Sequence, residues 1–157
     1  MKVKDISIID PKSDLKNKSN IYYVDTSSVL DGKINKMQFL HKNEWPVCAK
    51  KEVVKNDILI SAVRPNLKHN WFVNKNYYNV VCRTTFIQIR VINKNWLPQY
   101  LYYFLTSEEK IKYYSSIANS NATAWPLFDK SIIENVELPI INLKIQQHIV
   151  DITREYQ

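Results

Sequence analysis

The spacing of apolar residues changes period at Leu97, and that switch limits the folds open to this chain. From Ile21 to Val91 the apolar residues come in short runs separated by Asn, Lys and Pro. β-Branched and aromatic side chains are common among them, a pattern that predicts strands. The clearest is Thr85–Val91, where Phe86, Gln88 and Arg90 alternate with Thr85, Ile87, Ile89 and Val91 to give one apolar and one mixed face. From Leu97 the repeat is helical: Leu97, Tyr100, Leu101, Phe104 and Leu105 make one stripe. Thr106-Ser107-Glu108-Glu109 has the form of a capping box and predicts a second helix to about Ile117. Asn119 to Pro126 reads as a polar loop and Val136 to Ile141 as a short apolar run. Asn142 can cap a last helix that carries Ile145, Ile149, Ile152 and Tyr156 on one side. Residues 10–20 are polar and turn-rich and are expected to be an exposed loop against which little packs. With 157 residues, 45% of them hydrophobic, the chain can bury one sizeable core and is read as one domain.

Twenty-two Lys and Arg against 15 Asp and Glu give a formal charge of +7, which favours anionic partners, nucleic acid first among them. Lys dominates the excess, so part of it can equally serve solubility. Cys48 and Cys82 stand far apart without a histidine at ligand spacing, so two reduced, buried thiols are expected and no metal site. The N-terminus lacks the apolar core of a signal peptide, and no run approaches the length of a membrane span; a cytoplasmic protein without membrane contact is the expectation. Enzyme constellations are missing. A methyltransferase would need a glycine-rich strand-to-helix turn, and Gly32 is the sole glycine. Asp10-Pro11-Lys12 and Glu108-Glu109-Lys110 are chance triplets in a Lys-rich chain, and His41, His69 and His148 sit apart. No catalytic residue, metal or cofactor is assigned. Turns must then be built from Asn, Asp, Ser and Pro, which tolerate tight or left-handed backbone.

Recognition chemistry is most legible in Asn56–Lys68, where an apolar strand runs straight into a loop of donors. Pro65 stiffens the backbone, and Arg64, Asn66, Lys68, His69 and Asn70 present cationic and amide groups outward, suited to guanine, phosphate and adenine. The competing reading is an internal salt bridge for Arg64 and a plain β-turn at Pro65-Asn66. A second small-residue loop, Asn119 to Trp125, permits close approach, with a plain connector as its alternative; Trp125 is read as a core or staple residue. Tyr100, Tyr102, Tyr103, Tyr113 and Tyr114 are better explained by helix packing than by stacking on bases. The terminal stripe suits a seam against another helix or a helix folded onto its own core.

Four pieces in order resemble the specificity subunit of type I restriction-modification enzymes. Asn56-Asp57-Ile58-Leu59-Ile60-Ser61-Ala62-Val63-Arg64 is similar to that family's "gDil.s.r" segment. Tyr22-Tyr23-Val24-Asp25, with Gly32-Lys33-Ile34, resembles its "yi...d" and "G.I" pieces. Leu97–Leu105 resembles its "yl.y.l" helix, with a small polar loop and then Ile132–Pro139 after it. Leu143 and Gln146–Val150 sit where the family enters a long spacer helix. The resemblance implies an α+β fold: an irregular β-rich, β-helix-like target-recognition domain over 1–141, followed by helices and the start of an α-helical spacer over 142–157. It implies sequence-specific recognition of one half of a bipartite site on double-stranded DNA in host defence. DNA methylation and cleavage would belong to separate methyltransferase (modification) and restriction subunits, the latter reached indirectly. A second recognition domain or a homodimer partner would read the other half-site. By resemblance, Ser120, Asn121 and Thr123 join the first loop at DNA, and Ile145, Gln146, Ile149, Ile152 and Tyr156 meet the partner. The family usually has glycines in both loops, and this chain has none there, so loop shape is not transferable. Two other readings stay open: an interaction or inhibitory module that binds methyltransferase subunits without reading DNA, and a single-strand nucleic-acid binder.

Overall fold

The computed structural model describes residues 1–121 and 125–156. Helix α1 (Val3–Ile6) leads into β1 (Ser7–Ile9), and β2 (Asn20–Val24) ends in a 3-10 turn at Thr26–Ser28. A hairpin comes next, β3 (Val29–Leu30) and β4 (Lys33–Ile34), then β5 (Gln38–His41) and β6 (Ala49–Glu52). Strand β7 (Ile58–Ser61) runs into a 3-10 turn at Pro65–Leu67, and β8 (Asn70–Phe72), β9 (Val80–Arg83) and β10 (Phe86–Val91) complete the strands. The rest is helical: α2 (Pro98–Leu105), α3 (Glu108–Ser120), α4 (Lys130–Glu134) and α5 (Leu143–Glu155).

The strands form two four-stranded sheets, ordered β1-β10-β7-β8 and β5-β2-β9-β6, plus the β3-β4 hairpin. Side-chain alternation decides how they stack. In β7, Ile58 and Ile60 join the cluster under the helices, with Leu101, Leu105, Tyr114 and Phe128, while Leu59 faces the other way onto Trp71, Val80 and Cys82. In β9, Val80 and Cys82 share that middle cluster, and Val81 points outward to Ile21, Tyr23 and Leu40. The order of layers is therefore helices, first sheet, second sheet, and an outer cover that includes Leu15 and Trp45. The α+β class expected from the sequence holds.

Sandwiching between layers corrects the reading of Thr85–Val91, because Phe86 and Gln88 on its mixed face are as buried as Ile87 and Ile89. Gln88 is tied there by its Nε2, which donates to the Glu52 carbonyl at 2.7 Å and to Asp57 Oδ2 at 2.9 Å, while its Oε1 is buried without a partner among the described residues. Asp57, fully buried, also takes Arg90 through Nε at 2.9 Å and Nη2 at 3.0 Å, and the Val54 amide at 2.9 Å. Its place in the sequence motif is thus structural: a buried carboxylate needs this many donors. Residues 10–20 also pack more than expected. Asp10 Oδ1 accepts from Lys51 Nζ at 2.8 Å and the Gln88 amide at 3.0 Å, and Ser13 Oγ accepts from the Glu52 amide at 2.9 Å.

The helices follow the expected stripe, with one shift. Ser107, not Thr106, caps α3, its Oγ accepting from the Lys110 amide at 3.3 Å, while the Thr106 hydroxyl donates back to the Tyr102 carbonyl at 2.7 Å. N3 is then a lysine, so no capping box forms. The helix runs on to Ser120, placing Asn119 and Ser120 in its last turn instead of in a loop. Tyr100, Tyr102 and Tyr114 are buried in the packing. Positive φ falls mostly on the residues foreseen for turns: Asp10, Asp31, Asn56 and Asn79, together with Arg64 and Lys68. Asp31 and Gly32 (φ 50 and 91) turn the β3-β4 hairpin with positive φ at both central positions, as a type I′ turn requires.

Candidate nucleic-acid interface

Topology gathers one edge of the molecule. Strands β2 and β9 pair in parallel, Val24 opposite Cys82, so Asp25, which follows β2, and Arg83, the last residue of β9, lie at the same end of the sheet. Strand β10 starts just after Arg83 and pairs antiparallel with β7, Phe86 opposite Ser61, which brings the end of β7 to that side as well. The Arg64 loop, the β9-β10 turn and the Asp25 turn therefore share an edge.

The Arg64–Asn70 loop is held from below and from the side. Ser61 builds the corner: its Oγ donates to the Val63 carbonyl at 2.9 Å and its amide donates to Asn70 Oδ1 at 3.2 Å. The β3-β4 hairpin braces the return leg through Asp31 N to Lys68 O and Gly32 N to Asn70 O, both 2.9 Å. His69 Nδ1 lies 2.9 Å from the Val29 carbonyl. Asn70 is 3% exposed, so the expectation that its amide faces outward is corrected: it is a structural tie, because an unpaired buried amide is costly. His69, half-buried on the hairpin, likewise braces the loop. Arg64, Asn66 and Lys68 are exposed. Arg64 meets no carboxylate among the described residues, which sets aside the internal salt bridge, and Pro65-Asn66 opens a 3-10 turn closed by Leu67 N to Arg64 O at 3.0 Å and Lys68 N to Pro65 O at 3.1 Å.

The second polar segment is zipped to the first. Val63 bridges Leu127 in antiparallel fashion, Arg64 N donates to Pro126 O at 2.8 Å, and Phe128 N donates to Ala62 O at 3.1 Å. Asn121 donates its side-chain amide to the Leu127 carbonyl at 2.7 Å, and Ser120 Oγ donates to the Ile117 carbonyl at 2.7 Å. Both remain exposed while tied to their own chain. Thr123 lies outside the described residues. Trp125 corrects the sequence reading: it is 61% exposed, with the Arg64 guanidinium 4.9 Å from its ring centroid. Such stacking holds an arginine in place while its edge stays free to donate.

Sequence reading missed Arg83. With Val63, with Trp125 and Leu127 on the segment zipped to it, and with Asp25, Thr26 and Ser27, it lines a cleft of about 570 Å³. Arg83 Nη1 stands 3.9 Å from Asp25 Oδ1. Partial burial works against its charge, and Cys48, Asp25 and the Tyr23 hydroxyl more than offset that. A parallel pairing between strands far apart in the chain brings Arg83 here, and no local pattern signals it.

Helix α5 carries the terminal stripe, for which both a seam against another helix and packing onto the chain's own core stand open. Asn142 caps it as expected, accepting from the Ile145 amide at 2.9 Å. Gln146 is corrected: fully buried, it accepts from the Leu97 amide at 2.8 Å and donates to the carbonyls of Asn95 and Ile141 at 2.9 and 3.2 Å, which locks α5 onto the start of α2. Val150 and Ile149 pack inward on the same side. Ile145, Ile152 and Tyr156 are exposed. Among the described residues no helix is long and apolar enough to cross a membrane, and no group of three or more His, Cys, Asp or Glu is placed to hold a metal ion. Cys48 and Cys82 are free thiols, Cys82 buried and Cys48 half-buried.

Fold and site together describe an α+β protein whose braced polar loops share one exposed edge. The chain belongs to the type I restriction modification DNA specificity domain family, which matches residues 1–156. It is 31% identical over 133 residues to the HindI specificity subunit of Haemophilus influenzae, an alignment covering 85% of this chain and 29% of that protein. Its fold is similar to the HsdS subunit from Thermoanaerobacter tengcongensis, with a TM-score of 0.84, 22% identity, and coverage of 99% of this chain and 41% of that one. The S subunit of a type I restriction-modification system from M. genitalium superposes with a TM-score of 0.60 and 14% identity, covering 99% of this chain and 38% of that one. The chain thus spans well under half the length of each of these relatives.

Proposed function

We propose that this chain is a target-recognition domain that reads one half of a bipartite site on double-stranded DNA and thereby directs the modification and restriction subunits of a type I enzyme, in the cytoplasm. Residues 1–141 carry the recognition domain and α5 begins the spacer helix. The carrying observation is the backbone pairing of Val63 with Leu127, which fuses both polar segments into one braced edge with Arg64, Asn66 and Lys68 exposed on it. A rigid loop loses little entropy on binding, which suits discrimination between sequences. Lysines across a surface of charge +7 supply salt-sensitive phosphate affinity, while Arg64, with Asn66, Asn121 and Thr123, supplies base contacts. His69 and Asn70 act by shaping the loop, and Ser120 by ending α3 beside it. The chain contributes recognition, and bond-making belongs to the other subunits. Ile145, Ile152 and Tyr156 offer apolar surface to the modification subunit or to a second recognition domain, with Gln146 and Ile149 fixing the helix that presents it.

Electrophoretic shift tests this with the full chain, alone and with its modification subunit, on a selected duplex, a random duplex and the matching single strand. Tighter binding to the selected duplex at moderate salt is expected. Retention of the modification subunit without a shift of any duplex at low salt contradicts the reading in favour of an interaction module. Preference for the single strand contradicts it equally.

A further inference from the structure

We propose that Arg83 is a base-reading residue of the same edge, held ready by Asp25 to take the paired acceptors of a guanine in the cleft faced by Trp125. This deepens the DNA reading above and rests on it.

The carboxylate that faces Arg83 is itself fixed. Asp25 caps the 3-10 turn at Thr26–Ser28, its Oδ1 accepting from the Thr26 amide at 2.6 Å, and its own amide donates to Ser28 Oγ at 3.1 Å. A carboxylate anchored in this way restricts the rotamers of an arginine beside it and removes part of the entropy lost on contact. Arg83 Nη1 lies 3.9 Å from that carboxylate, its side chain is 41% exposed, and the guanidinium has donors left over. The position is shared with the Arg64 corner: the Ala62 amide donates to the Thr85 carbonyl at 3.0 Å, in the turn that Arg83 enters.

Charge decides between a phosphate and a base. Asp25 is 40% exposed at the cleft, so a phosphate brought to Arg83 would meet a like charge at short range, whereas the O6 and N7 acceptors of guanine are neutral. Shape points the same way. Val63, Leu127 and Trp125 give the cleft an apolar wall, and the Thr85 hydroxyl beside it is buried without a partner among the described residues. A cleft with an apolar wall and one oriented fork of donors suits the edge of a base better than a hydrated phosphate.

The test is selection of preferred sites from a randomised duplex library, with the full chain and its modification subunit, comparing wild type, Arg83→Ala, Arg83→Lys and Arg83→Gln. Thermal melting of each variant runs alongside. Wild type should enrich a site that contains a guanine which Arg83→Ala no longer selects, with discrimination there falling roughly tenfold to a hundredfold and the other positions kept. Lysine should not restore it, since it lacks the planar fork. Glutamine keeps an apolar stem and should move that one position towards adenine, a readout that a purely structural role would not give. An unchanged site for Arg83→Ala overturns the assignment, as does persistence of the guanine with Arg83→Gln. So does uniform weakening on all sequences, with a shallower salt dependence and rescue by lysine, which marks a phosphate contact. If wild type itself enriches nothing, it is the DNA reading that has failed, and this inference falls with it.

Discussion

Arg64 takes a left-handed backbone, φ 47, which costs a non-glycine residue about 1–2 kcal/mol and persists here because Pro126, Ser61 and the 3-10 turn after it fix it from several directions. Alanine has the same difficulty at that φ, so Arg64→Ala removes a side chain without easing the backbone. Stability should therefore change by less than about 0.5 kcal/mol, while binding to the preferred duplex should weaken by about 1–3 kcal/mol and sequence preference should flatten. Melting and equilibrium binding on preferred and random duplexes check this; equal losses on both duplexes make Arg64 a phosphate contact. Gly32 is the reverse case. At φ 91 it turns the hairpin that braces the loop, and a Cβ there would stand 2.9 Å from the Tyr102 hydroxyl. Gly32→Ala should cost on the order of 1–3 kcal/mol in denaturant unfolding, and a neutral result would mean that the hairpin shifts freely beneath the loop.

Among the elements, α5 divides into a side that holds and a side that offers. Gln146 ties it to α2, and its removal would leave the Leu97 amide and the carbonyls of Asn95 and Ile141 without this partner. Gln146→Ala should destabilise by about 1–3 kcal/mol. Ile152→Asp, on the exposed side, should leave stability within about 0.5 kcal/mol yet abolish co-elution with the modification subunit in gel filtration; retained co-elution would remove α5 from the partner surface. The sequence signalled that the helix exists, because Asn142 and the isoleucine spacing are local. It did not signal which side packs, since a glutamine between isoleucines gives no hint of burial. The same limit explains Trp125, read as a core or staple residue: its place under Arg64 goes with the long-range bridge from Val63 to Leu127.

For the whole molecule, burial of ionisable groups sets the alkaline limit. Cys82 is pushed up to about 12 from the usual thiol value of 9.0 by desolvation, and burial also raises the hydroxyls of Tyr23, Tyr102 and Tyr114. The unfolded chain gives up these protons first as pH rises, so stability is fully present below about pH 9 and falls from there towards about pH 12. Denaturant midpoints across that window, with tyrosinate absorbance, check it; ordinary ionisation of these tyrosines while the fold persists would contradict it. Strands followed by helices, the donor loop after β7 and the need for Asn and Asp at left-handed turns were legible because each depends on neighbours in sequence. The shared polar edge was not, since it arises from the parallel pairing of β2 with β9 and the zipping of Val63 to Leu127, both of long range. Amide hydrogen exchange with and without the selected duplex shows whether DNA meets that shared edge. Slowed exchange together at 61–68, 83–85 and 125–128, with the β5 edge unchanged, is the result expected. Slowing confined to β5 or to α5, with both loops exchanging as in the free protein, would contradict it.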